Sequence, residues 1–260
     1  MAYIETRQLT VKYGEKVALR DVNIKIDQGS IVSIIGPNGS GKSTLVKAIG
    51  RSVKVSGGGI YFQDRDILSL GNKYLAKEIA VLPQIKRTPK DLSVENLVSY
   101  GRYPHLGFGK KLTRTDKEIV TWAIENTGLS QYSQRLLYSL SGGERQRAWI
   151  AMALAQKPNI LILDEPTTFL DISFQVEILE LIKELNKTLG LTVIMVLHDL
   201  NQAARYSDEI YVLSQGEVQH YGNPDSTIRE NLLREIFKIE AHIYRDEISG
   251  CPYFIPYKIT

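Results

Sequence analysis

An eight-residue stretch, Gly36 to Ser43, has the residue types and spacing of a phosphate-binding loop. Its letters, GPNGSGKS, fit the pattern G-x-x-x-x-G-K-[ST] in full. The stretch follows an apolar run that is typical of a strand, Ile31–Ile35, and leads into a helix-like segment from Thr44. A glycine loop that opens onto a helix points backbone N–H groups and the positive end of the helix dipole at one place. The sequence therefore predicts a site for the phosphates of a nucleotide, rather than a plain glycine-rich turn.

Two side chains of this loop can add to its backbone groups. The ammonium of Lys42 would reach the β- and γ-phosphates, and the hydroxyl of Ser43 would bind the accompanying Mg²⁺. The nucleotide-binding residues predicted from this stretch are Gly36, Pro37, Asn38, Gly39, Ser40, Gly41, Lys42, Ser43 and Thr44.

Two adjacent carboxylates, Asp164 and Glu165, end the apolar run at 160–163. The run is too short for a helix and indicates a strand that is buried on both faces of a parallel sheet. Ligands of open α/β sheets bind at the carboxyl ends of such strands. A bare pair of acids is usually structural, but downstream of a phosphate loop we expect Asp164 to bind Mg²⁺ and Glu165 to activate water.

Two residues follow other predicted strands. His198 comes after the buried run at 193–197, where it is a candidate sensor of the γ-phosphate, although a lone histidine is more often structural. Gln84 follows the strand that Pro83 ends, and its side chain could face the nucleotide or cap a loop. Spacing alone favours the loop for Gln84.

An aromatic residue and a second helix start complete the candidates. Tyr13 ends a strand shortly before the phosphate loop, so it could stack on an adenine or simply cover the core. Ser141 and Glu144 have capping-box spacing at the start of a helix. The two glycines between them, at 142 and 143, each cost about 1 kcal/mol of helix propensity. What they provide is a bare helix N-terminus that a phosphate can approach.

The remaining patterns place these residues on elements. The N-terminal region alternates as short antiparallel strands, with separate strands expected at 17–19 and 22–26 and a glycine turn before the strand that ends at Phe62. Residues 88–158 have helical periodicity, with Ser93 as one cap and Thr115 with Glu118 as a capping box. An aromatic and glycine-rich loop lies between the helices of this insert, and it could be ordered structure or a partner surface whose candidate anchors are Arg102, Tyr103 and Phe108.

Composition excludes several classes of protein. The 260 residues are 43% hydrophobic and 23% charged, and the net charge of +3 is spread along the chain, so nucleic acid is not indicated as a partner. A single cysteine, Cys251, cannot form an internal disulfide, which suits a reducing cytosol. No apolar signal core is recognisable, and no window approaches the roughly 20 apolar residues of a membrane span. If the protein works at a membrane, we expect it to dock on another chain.

With Leu140-Ser141-Gly142-Gly143-Glu144 added to the loop and the carboxylates, the chain resembles the ATP-binding subunits of ABC transporters over roughly residues 1 to 230. The resemblance implies an α/β fold: a P-loop NTPase (RecA-like) core with a mostly parallel sheet, an N-terminal antiparallel β-subdomain and an inserted α-helical subdomain. The implied ATPase domain is 1–235, with a nucleotide-binding core at 1–87 and 159–235, a helical subdomain at 88–158 and a C-terminal extension at 236–260.

The resemblance also implies roles for single residues, with ATP and Mg²⁺ as cofactors. Tyr13 stacks on adenine, Gln84 links the metal and the attacking water to the helical subdomain, and Ser141 and Gly143 contact the γ-phosphate of ATP held by the other protomer. Glu144 stands where many members have Gln. The implied catalytic residues are Glu165, His198 and Gln84, the implied Mg²⁺ ligands are Ser43, Gln84 and Asp164, and the implied nucleotide contacts outside the loop are Tyr13, Ser141, Gly142, Gly143 and the D-loop Asp171.

The implied partners are a second, identical copy in a head-to-tail dimer, an integral membrane permease and an extracytoplasmic substrate-binding protein. Such a subunit would lie peripherally on the cytoplasmic face of the membrane. The residues at 99–105 and 196–203 are similar to those of the ATPases of iron-siderophore, haem and vitamin B12 importers. The similarity is greatest to the siderophore type. Two other functions are alternatives to siderophore import. An ABC ATPase for a different cargo shares every catalytic motif. A non-transport ABC ATPase would usually carry two such domains or a long coiled-coil insert.

Overall fold

The structure is a computed structural model that describes residues 2–84, 91–107 and 109–260 of the chain. The chain forms two compact units. The first unit contains the residues up to Ser69 and those from Thr192 to Thr260, and the second unit runs from Leu70 to Leu191. No helix in these described ranges is both long and apolar enough to cross a bilayer.

The described ranges contain twelve strands and nine α-helices. The strands are β1 (Ile4–Tyr13), β2 (Lys16–Ile26), β3 (Ile31–Ile35), β4 (Gly57–Phe62), β5 (Arg65–Asp66), β6 (Ile79–Leu82), β7 (Ile160–Asp164), β8 (Thr192–Val196), β9 (Glu209–Ser214), β10 (Glu217–Gly222), β11 (Ile239–Arg245) and β12 (Pro252–Ile259). The helices are α1 (Lys42–Ile49), α2 (Asn72–Glu78), α3 (Val94–Ser99), α4 (Arg114–Asn126), α5 (Gly142–Ala155), α6 (Ile172–Leu189), α7 (Leu200–Tyr206), α8 (Pro224–Thr227) and α9 (Glu230–Leu232). Shorter turns are 3₁₀ at Ile67–Ser69, Tyr100–His105, Ser130–Tyr132 and Leu137–Ser139, and π at Leu233–Phe237.

The first unit opens with the predicted antiparallel sheet, in the strand order β2-β1-β4-β5. The prediction of two separate strands at 17–19 and 22–26 is wrong, since β2 is one continuous strand. Its pairing with β1 has register shifts. The expected glycine turn is also wrong, because the glycines belong to β4. A Cβ on Gly58 would lie 2.2 Å from the carbonyl oxygen of Gln8, so this position needs glycine for a close backbone approach.

The first unit also contains parallel strands. β3 pairs in parallel with β8 on one side and with β9 on the other, and every residue of β3 and β8 is buried. β9 and β10 form a hairpin: they pair antiparallel across Gln215 and Gly216, which both have positive φ, as a two-residue hairpin turn requires. A last hairpin, β11 and β12, packs Ala241 and Phe254 against the buried Leu233.

The second unit combines one parallel strand pair with helices. β6 pairs with β7 in parallel, and all five residues of β7 are buried, as its apolar run predicts. α5 packs on both α3 and α4. α3 begins with the predicted cap, since the Ser93 hydroxyl accepts a hydrogen bond from the backbone N–H of Asn96 at 3.2 Å.

The start of α4 differs from the predicted capping box of Thr115 and Glu118. The box is formed two residues earlier, where Thr113 caps the helix and the Asp116 carboxylate accepts from the Thr113 backbone N–H at 2.9 Å. Thr115 lies inside the first turn, and Glu118 instead pairs with Arg114 on the helix surface. The earlier start is favoured because Asp116 also pairs with Arg102, a contact that Glu118 does not make.

Arg102 is buried, so its prediction as an exposed docking anchor is wrong. Its Nε donates to Asp116 Oδ1 at 2.9 Å and its Nη1 donates to the carbonyl oxygen of Ala155 at 2.7 Å. The guanidinium thus joins the 3₁₀ turn at 100–105 to the start of α4 and the end of α5. Packing inside the insert is the alternative that the structure supports for this residue.

Asp116→Asn should lower the free energy of unfolding at pH 7 by about 3–5 kcal/mol, because it leaves the buried Arg102 without its ionic partner. The hydrogen bonds from Thr113, together with Arg102, lower the pKa of Asp116 from 3.8 to about 2. A carboxylate with a depressed folded-state pKa stabilises fully above its unfolded pKa and loses that contribution as the pH falls through the folded value. The difference between the two proteins should therefore shrink from pH 4 to pH 2 in urea unfolding.

The matched control for this substitution is Glu118→Gln, on the same helix. Its pair with Arg114 lies on the surface, and such pairs contribute about 0–1 kcal/mol. Equal costs for the two substitutions at pH 7, or a difference that does not change with acid, would mean that the Arg102–Asp116 pair does not stabilise the insert.

Candidate phosphate-binding and catalytic site

The phosphate loop of the first unit has a shape that its glycines determine. A Cβ on Gly36 would lie 2.0 Å from the carbonyl oxygen of Leu213, and a Cβ on Gly41 would lie 2.8 Å from that of Ala18. Gly41 also has a φ of +105°, which other residues rarely adopt. Since β3 ends at Ile35 and α1 begins at Lys42, the loop lies between strand and helix as predicted.

Two buried polar side chains, Lys42 and Ser40, belong to this loop. The Lys42 ammonium is buried and donates to the carbonyl oxygens of Gly36 at 2.8 Å and Pro37 at 2.9 Å. The Ser40 hydroxyl is buried and has no hydrogen-bond partner within the described part of the chain. Buried polar atoms are nearly always paired, so an unpaired hydroxyl in this loop fits a ligand that accepts hydrogen bonds, such as a phosphate.

The structure brings Tyr13 and His198 to the neighbourhood of this loop. Tyr13 pairs with Lys16 at the tip of the β1–β2 hairpin, and a Cβ on Gly41 would lie 2.8 Å from the carbonyl oxygen of Ala18 in that hairpin. The Tyr13 ring is half-exposed, as a platform for a base must be. His198 follows β8, and because β8 runs parallel to β3, His198 and the loop lie at the same edge of the sheet. Their contacts with a nucleotide stay predictions.

The second unit brings Gln84 and Glu165 into direct contact. β6 and β7 run in parallel register, so Gln84 and Glu165 each lie two residues beyond the Leu82–Leu163 pair. The Gln84 amide nitrogen donates to Glu165 Oε2 at 2.5 Å. Gln84 thus faces the carboxylate that is predicted to activate water. Asp164, one residue earlier, ends β7 and is buried.

Thr168 is a polar neighbour of Glu165 that the sequence reading missed. Its hydroxyl donates to the same Glu165 Oε2 at 3.0 Å. Glu165 has a φ of +55°, a conformation that is uncommon for a residue with a side chain and is found at functional sites. A threonine three residues after the acid, in the turn that leaves the strand, was the signal available in the sequence.

The predicted capping box at the start of α5 is confirmed. The Ser141 hydroxyl accepts from the Glu144 backbone N–H at 3.2 Å, and the Ser141 backbone N–H donates to Glu144 Oε2 at 2.8 Å. This backbone hydrogen bond lowers the pKa of Glu144 and keeps the carboxylate charged. Ser141 and Gly142 are exposed, so the helix start is accessible to a phosphate.

The glycine at 143 has a packing reason of its own. Gly143 is buried, and a Cβ there would lie 2.3 Å from the ring of Phe174 on α6. A Cβ on Gly142 would meet only the end of the Leu170 side chain, at 3.2 Å. The start of α5 therefore lies against the start of α6, where Asp171 is the N-cap residue and its exposed side chain makes no capping hydrogen bond.

Comparisons with known proteins agree on one family. The family described as ABC transporter matches residues 19–168. The petrobactin import ATP-binding protein FpuC of Bacillus anthracis is 46% identical over 257 residues, which cover 99% of this chain and 94% of that protein. The iron(3+)-hydroxamate import ATP-binding protein FhuC of Bacillus subtilis is 44% identical over 260 residues, which cover 100% and 96%.

Solved structures with the same fold include transporters and isolated cassettes. An inward-facing metal-chelate type ABC transporter has a TM-score of 0.85 at 25% identity, covering 99% of this chain and 98% of that one. The dimeric bacterial ABC transporter cassette MJ0796 has a TM-score of 0.72 at 32% identity, covering 85% and 98%. The predicted α/β fold, with its antiparallel N-terminal sheet and helical insert, is confirmed.

Proposed function

Because this chain belongs to the ABC transporter family, we propose that it is the subunit that binds and hydrolyses ATP to drive import of an iron-siderophore complex. The observation that carries the proposal is the full-length similarity to ATP-binding proteins named for petrobactin and iron(3+)-hydroxamate import. ATP hydrolysis belongs to the family as a whole. The identity of the cargo is a more specific inference, because the ATP-binding subunit of such a system does not itself touch the cargo.

We propose that the loop at 36–43 cradles the phosphates of ATP. Its backbone N–H groups and the N-terminus of α1 supply the positive field, and the Lys42 ammonium exchanges its two carbonyl contacts for phosphate oxygens. The unpaired Ser40 hydroxyl supports this assignment. Tyr13 would stack on the adenine, and His198 would contact the γ-phosphate from the end of β8.

The candidate metal ligands suit Mg²⁺ in their chemistry. Ser43, Gln84 and Asp164 all offer oxygen, which this hard cation prefers. Across the described ranges, no group of three His, Cys, Asp or Glu side chains is placed to hold a metal ion. Mg²⁺ is usually held by one or two carboxylates together with substrate phosphates and water. When bound, the ion would neutralise charge on the β- and γ-phosphate oxygens.

We propose that Glu165 accepts the proton of the attacking water. It follows the buried Asp164 at the end of β7, and its carboxylate accepts hydrogen bonds from Gln84 and Thr168. The proton moves from water to Glu165 as the water oxygen attacks the γ-phosphorus, and the bond to the β-phosphate oxygen breaks. Nothing in this chain needs to form a covalent intermediate.

The family works through dimers, and MJ0796 is an example of a dimeric cassette. We propose a head-to-tail pair of identical chains in which the start of α5 faces the nucleotide of the partner. The exposed Ser141 and Gly142 support this, because the first unit already supplies one phosphate cradle. Gly143 is buried behind them, so any contact of its own with the phosphate is through its backbone N–H.

We propose that the chain docks on a membrane permease through the turn at 100–105, on the cytoplasmic face of the membrane. The Tyr100 and Tyr103 rings lie 5.1 Å apart and are 42% and 61% exposed, which is typical of aromatic anchors at interfaces. Phe108, the third candidate anchor, lies outside the described residues. An extracytoplasmic substrate-binding protein would complete the system by delivering cargo to the permease.

Co-purification and stimulated hydrolysis test this proposal together. A tagged full-length chain should recover a permease from detergent-solubilised membranes, and Tyr103→Ala should lose most of it. Tyr138→Ala is the matched control, since Tyr138 is as exposed but lies elsewhere in the second unit. In liposomes that contain the permease complex, a ferric siderophore with its binding protein should raise ATP hydrolysis several-fold. Stimulation by haem or vitamin B12, and not by a ferric siderophore, would show that the system imports a different cargo. Failure to recover any permease would favour a non-transport ATPase.

A further inference from the structure

We propose that Thr168 is a positioning residue that holds the Glu165 carboxylate in its working orientation. The inference rests on the proposed role of Glu165 as general base. Its observation is the hydrogen bond from Thr168 Oγ1 to Glu165 Oε2, at 3.0 Å. The hydroxyl acts through Glu165 and needs no contact with the nucleotide.

The hydrogen bond belongs to a tight local structure. Thr168 is three residues from Glu165, and its backbone N–H also donates to the Glu165 carbonyl oxygen at 3.4 Å. Between them, Pro166 and Thr167 are buried. The turn therefore fixes the backbone that follows the acid, and the threonine hydroxyl contacts the end of its side chain.

Glu165 Oε2 has a second donor of a different kind. Gln84 approaches the same oxygen from the end of β6, and its side chain is exposed. In the proposed function the Gln84 side chain would also be a ligand of Mg²⁺, so it would have two tasks. Thr168 belongs to the same turn as Glu165, and its contact with the carboxylate does not depend on the end of another strand.

Positioning matters here because an oxygen of a general base must come within about 2.6–3.2 Å of the atom whose proton it removes. A glutamate carboxylate turns about several single bonds, and a displacement of about 1 Å can cost up to about 100-fold in rate. A hydrogen bond that limits this motion contributes to the chemical step and leaves the nucleotide contacts unchanged.

The test compares Thr168→Val with Thr168→Ser in the full chain. Valine has the shape of threonine without the hydroxyl, so kcat should fall about tenfold while KM for ATP stays within about twofold. Serine keeps the hydroxyl and should restore kcat to within about twofold of the unsubstituted protein. Thr168→Ala repeats the test without a branched side chain, should the valine variant have a lowered Tm.

The same substitution in a Glu165→Gln background separates this inference from the proposed function. Because Thr168 acts through the glutamate, Thr168→Val should cause no further loss of single-turnover rate once the base is absent. Fast hydrolysis by Glu165→Gln alone would remove the general base from the proposal. If Glu165→Gln hydrolyses slowly, three results would overturn the positioning role only. These are an unchanged kcat in Thr168→Val, no rescue by Thr168→Ser, and a further tenfold loss in the double variant.

Discussion

Glu165→Gln should bind ATP, accumulate as an ATP-bound dimer and hydrolyse about 10²–10⁴ times more slowly than the unsubstituted chain, because removal of a general base costs this much. Glutamine keeps the size of the side chain and one oxygen that can still accept from Gln84 and Thr168. The loss should therefore lie in the chemical step. Hydrolysis is measured as phosphate release, and dimerisation by size-exclusion chromatography with and without ATP.

The control for this experiment is Glu184→Gln, which removes an exposed carboxylate from α6. It should leave both hydrolysis and the ATP-dependent dimer unchanged. Near-normal hydrolysis in Glu165→Gln would transfer the role of base to another residue, and His198 would be tested next by the same assay.

Chains with Lys42→Ala and chains with Ser141→Arg should each be nearly inactive alone and should regain activity when they are mixed. Loss of the Lys42 ammonium removes a charge from the phosphate cradle, and loss of one such group typically costs about 10²–10³ in rate. In a head-to-tail dimer of the two variants, one site receives both its Lys42 and its Ser141 from unsubstituted positions. Random pairing makes half of the dimers mixed, so up to about a quarter of the normal activity should return.

A cap substitution elsewhere in the chain controls for damage to the fold. Thr113 caps α4 with the same kind of box that Ser141 makes at α5. Thr113→Arg should lower stability by about 1 kcal/mol and still hydrolyse ATP, whereas Ser141→Arg should lose hydrolysis. If mixed dimers are shown to form and no activity returns, the two phosphate-binding elements do not combine across a dimer.

The sequence was sufficient for features that depend on neighbours in the chain. The loop at 36–43, the cap at Ser93 and the capping box at Ser141 are local patterns, and each is found where it was predicted. The buried strands β7 and β8 also follow from their short apolar runs. The ends of these elements could therefore be used to predict which residues lie near the nucleotide.

The features that were missed depend on contacts between distant residues. Thr113 with Asp116 and Thr115 with Glu118 fit the same capping pattern, and the structure shows that only Asp116 also meets the buried Arg102. Arg102 lies in a loop of aromatic and glycine residues, where a charged side chain is normally exposed. Gln84 and Glu165 are 81 residues apart, and only the parallel register of their strands shows that they touch.

The phosphate loop itself supplies partners for the Lys42 ammonium, which donates to the carbonyl oxygens of Gly36 and Pro37. The phosphates of ATP therefore compete with these two backbone carbonyl oxygens for the Lys42 ammonium. The heat released on binding measures the difference between two sets of hydrogen bonds, so it understates how strongly lysine and phosphate attract each other. It also follows that the backbone of the loop can satisfy this buried charge without help from a nucleotide.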